Sequence, residues 1–235
     1  MQLFYNKDLV ADSKEIRFDK IESRHIVKVL RKKNGDTLHI TNGEGLLFIA
    51  EISTASDKNC VAQIIEVQTQ DKPWTYYLNV AIAPTKSMDR LEWFLEKATE
   101  IGIDEVTPII TDNSERKVVK LERIEKIVIS AAKQSLKYHL PKINDAIKLK
   151  DLIKGSFDGI KCIAHCYDEI NKQALKSVEF TNNILILIGP EGDFSLNEVE
   201  LSLANGFTSI SLGESRLRTE TAGIAAVHTI SLLHQ

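Results

Sequence analysis

The residues Ile184-Leu185-Ile186-Leu187-Ile188 form an unbroken aliphatic run that stops at Gly189-Pro190-Glu191-Gly192. A strand with one wet face alternates apolar and polar residues, whereas a continuous apolar run needs cover on both faces. The run is too short for a membrane-crossing helix, which takes about 20 apolar residues. The reading is a buried strand. The rest of the chain from residue 72 onward agrees. "YYLNVAIAP", "EVTPII", "GIKCIAHC" and "TSISLG" read as further strands. Between them lie helical patterns. Met88, Leu91, Phe94, Leu95, Ala98 and Ile101 recur at helical spacing, with Gly102 as the stop. Lys120 to Lys137 reads as a long helix. Ser195-Leu-Asn-Glu198 is a capping-box signature, and Gly206 closes that helix. "TETAGIAAVHTISLLH" is the last helix. Strands alternating with helices imply an α/β domain with a mainly parallel sheet.

The first 71 residues differ. "DTLHITNGEGLLFIAEI" alternates around the turn signal Asn42-Gly43, and "CVAQIIEV" is another strand. "SRHIVKVL" reads as a short helix with Ser23 as its cap. A small barrel carrying one helix is expected, with a boundary at the polar "QTQDKPW". The domains are therefore expected at 1–71 and 72–235.

Composition narrows the function classes. The chain of 235 residues is 43% hydrophobic and 27% charged, as in soluble globular proteins. The N-terminus has no apolar segment of the kind that directs secretion. Three cysteines, Cys60, Cys162 and Cys166, make a poor disulfide framework, so a reducing cytoplasm is expected. The net charge of −3 does not itself suggest a nucleic-acid binder. Local charge does: "RHIVKVLRKK", Arg24 to Lys33, holds five Lys/Arg and no acid, and Arg116 to Lys142 also leans basic. A solvated helix face is the plainer alternative.

Two strands end in glycine turns, "LILIGPEGDFS" and "SISLGESRLRTETAG". Ligands of open α/β sheets sit outside the carboxyl ends of the strands. Glycines let a ligand approach the backbone, and Pro190 stiffens the first turn. Thr219 or Thr221 would cap the last helix, and Glu220 suits its first turn. Arg218 has no such structural reason, and its planar fork suits a phosphate or a developing anion. No G-x-G-x-x-G or G-x-x-x-x-G-K-[ST] is present, which disfavours classical dinucleotide and P-loop binding. In "CIAHC", Cys162 and Cys166 would share one strand face with His165 opposite, so no metal site is expected.

"LIGPEGDFSLNEVE" followed by "LGESRLRTETAGIAAV" closely resembles the paired C-terminal motifs of the RsmE family. These are 16S ribosomal RNA uridine-N3 methyltransferases of the SPOUT superfamily. "RHIVKVLRKKNGD", "KSMDRLEWFLEKATEIGIDEVTPI" and "AAKQSLKYHLPKI" extend the resemblance over nearly the whole chain. It implies an N-terminal PUA-like β-barrel for RNA at 1–71. It implies a trefoil-knotted α/β domain binding S-adenosylmethionine at 72–235, a topology that ordinary chain rules would exclude. It also implies a homodimer acting on the small ribosomal subunit, with neither metal nor membrane. The last helix fits a dimer through a broad apolar set: Ile224, Ala225, Val227, Ile230, Leu232 and Leu233.

Carried over by motif, the cofactor residues are Leu187, Gly189, Pro190, Glu191, Gly192, Leu212, Gly213, Leu217, Arg218, Thr219, Thr221 and Ala222. Arg218 would stabilise charge on the uracil, and Glu191 or Glu220 would act as base or orienting group. RNA contacts are expected at Arg24, Arg31, Lys32, Lys33, Lys86, Lys133, Gln134 and Lys137. Two positions depart from the family pattern. Asp193 stands where a second glycine is usual, and Asp tolerates a positive φ. Lys137 replaces an arginine, keeping charge without the bidentate fork. The rival readings are a related methyltransferase for another RNA, such as tRNA, and a non-catalytic RNA-binding assembly factor.

Overall fold

The structure, a computed structural model, describes residues 1–179 and 183–234. The chain forms two compact units, Met1–Pro73 with Ala132–Leu140, and Trp74–Ala131 with Pro141–Gln235. The stretch 132–140, expected in the second domain, belongs to the first unit.

The first unit is built on strands β1 (Leu3–Tyr5), β2 (Glu15–Arg17), β3 (Thr37–Thr41), β4 (Leu46–Thr54) and β5 (Val61–Thr69), in the order β1-β3-β4-β5-β2. β1 runs parallel to β3 and the other pairs are antiparallel. The expected barrel is thus a small curled sheet with β1 and β2 as its edges. Its inner face buries Phe4, Ile16, Phe18, Ile26, Phe48 and Ile52. The β3–β4 turn is held by Asn42, whose Oδ1 accepts the N–H groups of Glu44 and Leu46 at 3.0 and 3.2 Å. The helical segment begins earlier than the sequence suggests. Helix α1 (Lys20–Arg24) is capped by Asp19, which accepts the Glu22 N–H at 2.8 Å, and a wider helical turn continues over His25–Val29. Ser23 is not a cap. It is buried, donating to Phe18 O at 3.1 Å and accepting the Cys60 N–H at 2.8 Å, so it ties helix to sheet. The segment 132–140 joins this unit through Gly45 N–H to Tyr138 O at 2.9 Å and Leu140 N–H to Gly43 O at 2.8 Å.

The second unit contains, in chain order, β6 (Tyr77–Ile82), α2 (Met88–Ile101), β7 (Glu105–Ile110), α3 (Leu121–Ser135), β8 (Lys142–Ile143), β9 (Ile147–Lys148), α4 (Leu149–Lys154), β10 (Ile160–Ala164), β11 (Gln173–Ala174), β12 (Asn183–Ile188), α5 (Leu196–Ala204), β13 (Thr208–Ser211) and α6 (Thr219–Leu233). The last residues of α3 pass into the first unit. The sheet order is β11-β13-β10-β12-β6-β7-β8, with β9 also beside β7, and every pairing is parallel.

β12 is the aliphatic run, and it lies between β10 and β6 with all of Ile184–Ile188 buried. Alternate side chains leave opposite faces. Leu185 and Leu187 pack with Ala81, Leu149, Ile163, Phe194 and Val199 on the side of α4 and α5. Ile184, Ile186 and Ile188 face the other side, where α2 and α6 pack on each other and α6 meets β6 and β12. Each such side chain contributes roughly 1.5–3 kcal/mol on burial, so this strand anchors the unit from both faces. Gly102 ends α2 at φ +131, Gly206 follows α5 at φ +82, and the capping box of α5 is complete.

Candidate active site

β13, β10 and β12 are neighbours and parallel, so the turns after their carboxyl ends lie side by side. Between them is a cleft of about 1100 Å³. Its walls are the turns Ala164–Glu169, Ile188–Glu191 with Asp193, and Ile210–Thr219, together with Lys172 and Ala222. Both charge signs are present: Asp168, Glu169, Glu191, Asp193 and Glu214 face Lys172, Arg216 and Arg218. That suits a ligand carrying both ammonium and carboxylate groups, held beside a nonpolar body.

The turn after β12 is tightly fixed. A Cβ on Gly189 would sit 3.1 Å from the Phe194 ring and 3.2 Å from the Phe194 nitrogen, so any larger residue would have to push Phe194 aside by a few tenths of an ångström. The Gly189 carbonyl accepts the Thr219 hydroxyl at 3.0 Å, which couples this turn to the start of α6. Thr219 therefore serves as a link between turns. The residue at the N-cap position of α6 is Arg218, with no side-chain cap bond. Glu191 Oε1 accepts the Lys86 N–H at 3.0 Å, and Asn113 Nδ2 donates to Gly192 O and Asp193 O at 3.1 and 3.0 Å. Arg116 donates to the carbonyls of Thr85 and Lys86 at 3.3 and 2.9 Å, completing the brace. Asp193 has φ +61, so it stands in the left-handed region that glycine takes most easily.

The turn after β10 carries His165, which is 7% exposed. Its Nδ1 accepts the Tyr167 N–H at 3.2 Å, so the proton sits on Nε2, which donates to Ser209 Oγ at 2.6 Å. Burial lowers the imidazole pKa, which keeps the ring neutral. His165 is thus a structural pin between β10 and β13. Cys162 is buried, with burial pushing its thiol up to about 12, whereas Cys166 is exposed on the cleft wall. Among the described residues, no group of three or more His, Cys, Asp or Glu is placed to hold a metal ion.

A second cavity of about 570 Å³ shares Arg216, Leu217 and Arg218 with the cleft and adds Asp89, Arg90, Trp93, Glu220 and Thr221. Glu220 is 6% exposed, with Arg90 Nε at 3.8 Å from its Oε1, and its Oε2 has no hydrogen-bond partner among the described residues. Trp93 is 44% exposed here.

Of the motif-derived cofactor residues, Gly189, Pro190, Glu191, Leu212, Gly213, Leu217, Arg218, Thr219 and Ala222 line the cleft. Leu187 is in the core, Gly192 lies beside Asn113, and Thr221 lines the second cavity. The wall Ala164–Glu169 was not anticipated. "GIKCIAHC" has no glycine at its end, and its place beside β12 depends on sheet order. The strand-end rule for parallel sheets was the available signal. Of the RNA-contact candidates, Arg24, Arg31, Lys32, Lys33, Lys133, Gln134 and Lys137 fall in the first unit. Lys133 Nζ is bonded to Glu22 Oε1 at 2.8 Å and lies 5.6 Å from the centre of the Phe4 ring, and burial lowers the Lys137 pKa. Lys86, in the second unit, pairs with Glu115 at 3.0 Å.

A family model described as an RNA methyltransferase domain matches residues 72–231, and one described as an RNA methyltransferase PUA domain matches 18–65. The ribosomal RNA small subunit methyltransferase E of Rickettsia conorii is 33% identical, covering 97% of this chain and 94% of its own. The probable rRNA-methyltransferase of Porphyromonas gingivalis has a crystal structure that matches with TM-score 0.92 and 43% identity over 100% of this chain and 98% of its own. A Legionella pneumophila methyltransferase structure, solved in complex with the bound cofactor SAM, matches with TM-score 0.86 and 26% identity over 98% and 96%. Sequence and fold agree over both units, and this chain belongs to the family of the ribosomal RNA small subunit methyltransferase E proteins.

Proposed function

We propose that the chain transfers a methyl group from S-adenosylmethionine to N3 of a uridine in the 16S RNA of the small ribosomal subunit. The observation that carries this reading is the cleft at the ends of β10, β12 and β13 together with a second cavity, both lined by Arg218. The mixed charges of the cleft fit the cofactor's amino-acid end, and the backbone of Gly189, Leu212, Gly213 and Leu217 fits its flat base. When bound, the cofactor supplies an electrophilic methyl on a sulfonium. The family membership and the cofactor seen in the Legionella protein support this choice.

A uracil N3 carries a proton and lies on the pairing edge, so the base must be unpaired and the proton must leave. Negative charge then spreads over N3 and the two carbonyl oxygens. The Arg218 guanidinium would hold that charge in place better than water does. Glu220 would take or orient the proton; its Oε1 lies 3.8 Å from Arg90 Nε, and its Oε2 has no hydrogen-bond partner among the described residues, which supports that role. Glu191 is engaged with the Lys86 N–H and acts in shaping the loop. Trp93 offers the second cavity a flat apolar surface for a base. The first unit, with Arg24, Arg31, Lys32, Lys33, Gln134 and Lys137, would contact RNA phosphates. Lys133, engaged by Glu22, contributes to the field more than to a direct contact. The reading includes a cytoplasmic homodimer with the family's knotted topology. Leu232 and Leu233, 54% and 46% exposed on α6, supply apolar surface for the partner copy.

Isothermal calorimetry with S-adenosylmethionine tests the carrying observation. One saturable site per chain is expected. The absence of binding at millimolar cofactor would overturn the reading.

A further inference from the structure

We propose that Asp193 is a positioning residue whose carboxylate fastens the turn after β10 to the turn after β12 and so sets the gap between two walls of the cleft. The proposal rests on the cofactor reading above.

A backbone at φ +61 favours glycine, and an aspartate there is mildly strained. The side chain that comes with the strain is fully used. Its Oδ1 accepts the adjacent Phe194 N–H at 2.8 Å. Its Oδ2 accepts the Cys166 N–H at 2.7 Å, from the turn after the neighbouring strand. Hydrogen bonds to an ionised carboxylate are about twice as strong as neutral ones. A second link joins the same turns, with the Tyr167 hydroxyl donating to Phe194 O at 3.0 Å. On its other side the turn after β10 is pinned to β13 by His165 and Ser209. The wall Ala164–Tyr167 is therefore held from both flanks, and on the β12 flank the anionic partner is Asp193. Cys166 and Asp193 both line the cleft, so loosening this bond would move a wall. The carboxylate also acts with burial to raise the Cys166 thiol pKa, so the thiol reports on the contact.

The test compares Asp193→Gly and Asp193→Asn with the parent chain. Cofactor affinity is measured by calorimetry, KM and kcat by methyl transfer, and Cys166 reactivity by iodoacetamide with mass detection. Cys60 and Cys162 are buried, so early alkylation reports on Cys166. Asp193→Gly should weaken S-adenosylmethionine binding by about tenfold, the equivalent of one charge-assisted bond. It should raise KM in step, leave kcat within about twofold, and alkylate Cys166 faster. Asp193→Asn tolerates positive φ and keeps one acceptor oxygen for the Cys166 N–H, but it loses the charge and turns its amide toward the Phe194 N–H, so its affinity should lie between those of the parent and Asp193→Gly. A role in folding alone would lower the active fraction, and hence kcat, without moving KM. Parent-like affinity and Cys166 reactivity in Asp193→Gly would overturn the proposal, as would equal losses in both variants. If the parent chain binds no cofactor, the cofactor reading fails, and faster Cys166 alkylation in Asp193→Gly than in the equally uncharged Asp193→Asn still decides whether Asp193 fastens the turns.

Discussion

Arg218 and Glu198 mark two ways in which a single residue matters here. Arg218 is exposed, belongs to both cavities and makes no side-chain cap bond. Arg218→Ala should reduce methyl transfer by at least about 100-fold, the scale of losing one charge-stabilising donor. Its melting temperature should match the parent within about 1 °C, since exposed substitutions cost little. Unchanged turnover would remove Arg218 from the chemistry. Glu198 is 1% exposed, and its oxygens accept the Asp112 N–H at 2.8 Å and the Ser195 N–H at 2.9 Å. Glu198→Ala leaves both donors without that partner and should destabilise the fold by about 2–3 kcal/mol in urea unfolding. Both residues were visible in sequence, one as an arginine without a structural task and one as the end of an S-x-x-E box. Ser23 and Thr219 were misread because their partners, Cys60 and Gly189, are distant in sequence. Local capping rules have no access to such partners.

At the scale of elements, α2 and α6 pack closely because Gly223 has no side chain. A Cβ there would lie 2.6 Å from the Phe94 ring and 3.1 Å from Ile82. Gly223→Ala would gain up to about 1 kcal/mol of helix propensity. Overpacking a filled core costs about 1–3 kcal/mol, so net destabilisation is expected in thermal or urea unfolding. A more stable variant would show that the contact can relax. α2, α3, α5 and α6 were all legible, because each is long and periodic or ends in a glycine. The two-residue strands β8, β9 and β11 were not legible, since they exist only through their neighbours in the sheet. The turn Ala164–Glu169 was missed for the same reason. Its composition is unremarkable, and its adjacency to β12 makes it a wall of the site.

For the molecule as a whole, the resemblance covered both units, and the family comparisons agree with it. Periodicity and turn chemistry alone reach an α/β domain after a small β domain. They do not reach the strand order or the membership of 132–140, which are set by long-range packing. That membership has a consequence. A fragment of residues 74–235 would strip Ala132–Leu140 of its partners at Thr41, Gly43 and Gly45. It should melt about 2–8 °C below the full chain by circular dichroism, as loss of one or two kcal/mol implies. Equal melting would show that the segment is indifferent to the first unit. The central claim is the transfer itself. The direct measurement incubates the protein with labelled S-adenosylmethionine and, separately, undermodified small ribosomal subunits, free 16S RNA and tRNA, then maps the product by mass. The account predicts 3-methyluridine at one position of 16S RNA in the subunit sample. Label confined to tRNA, or no transfer to any of the three, would contradict it.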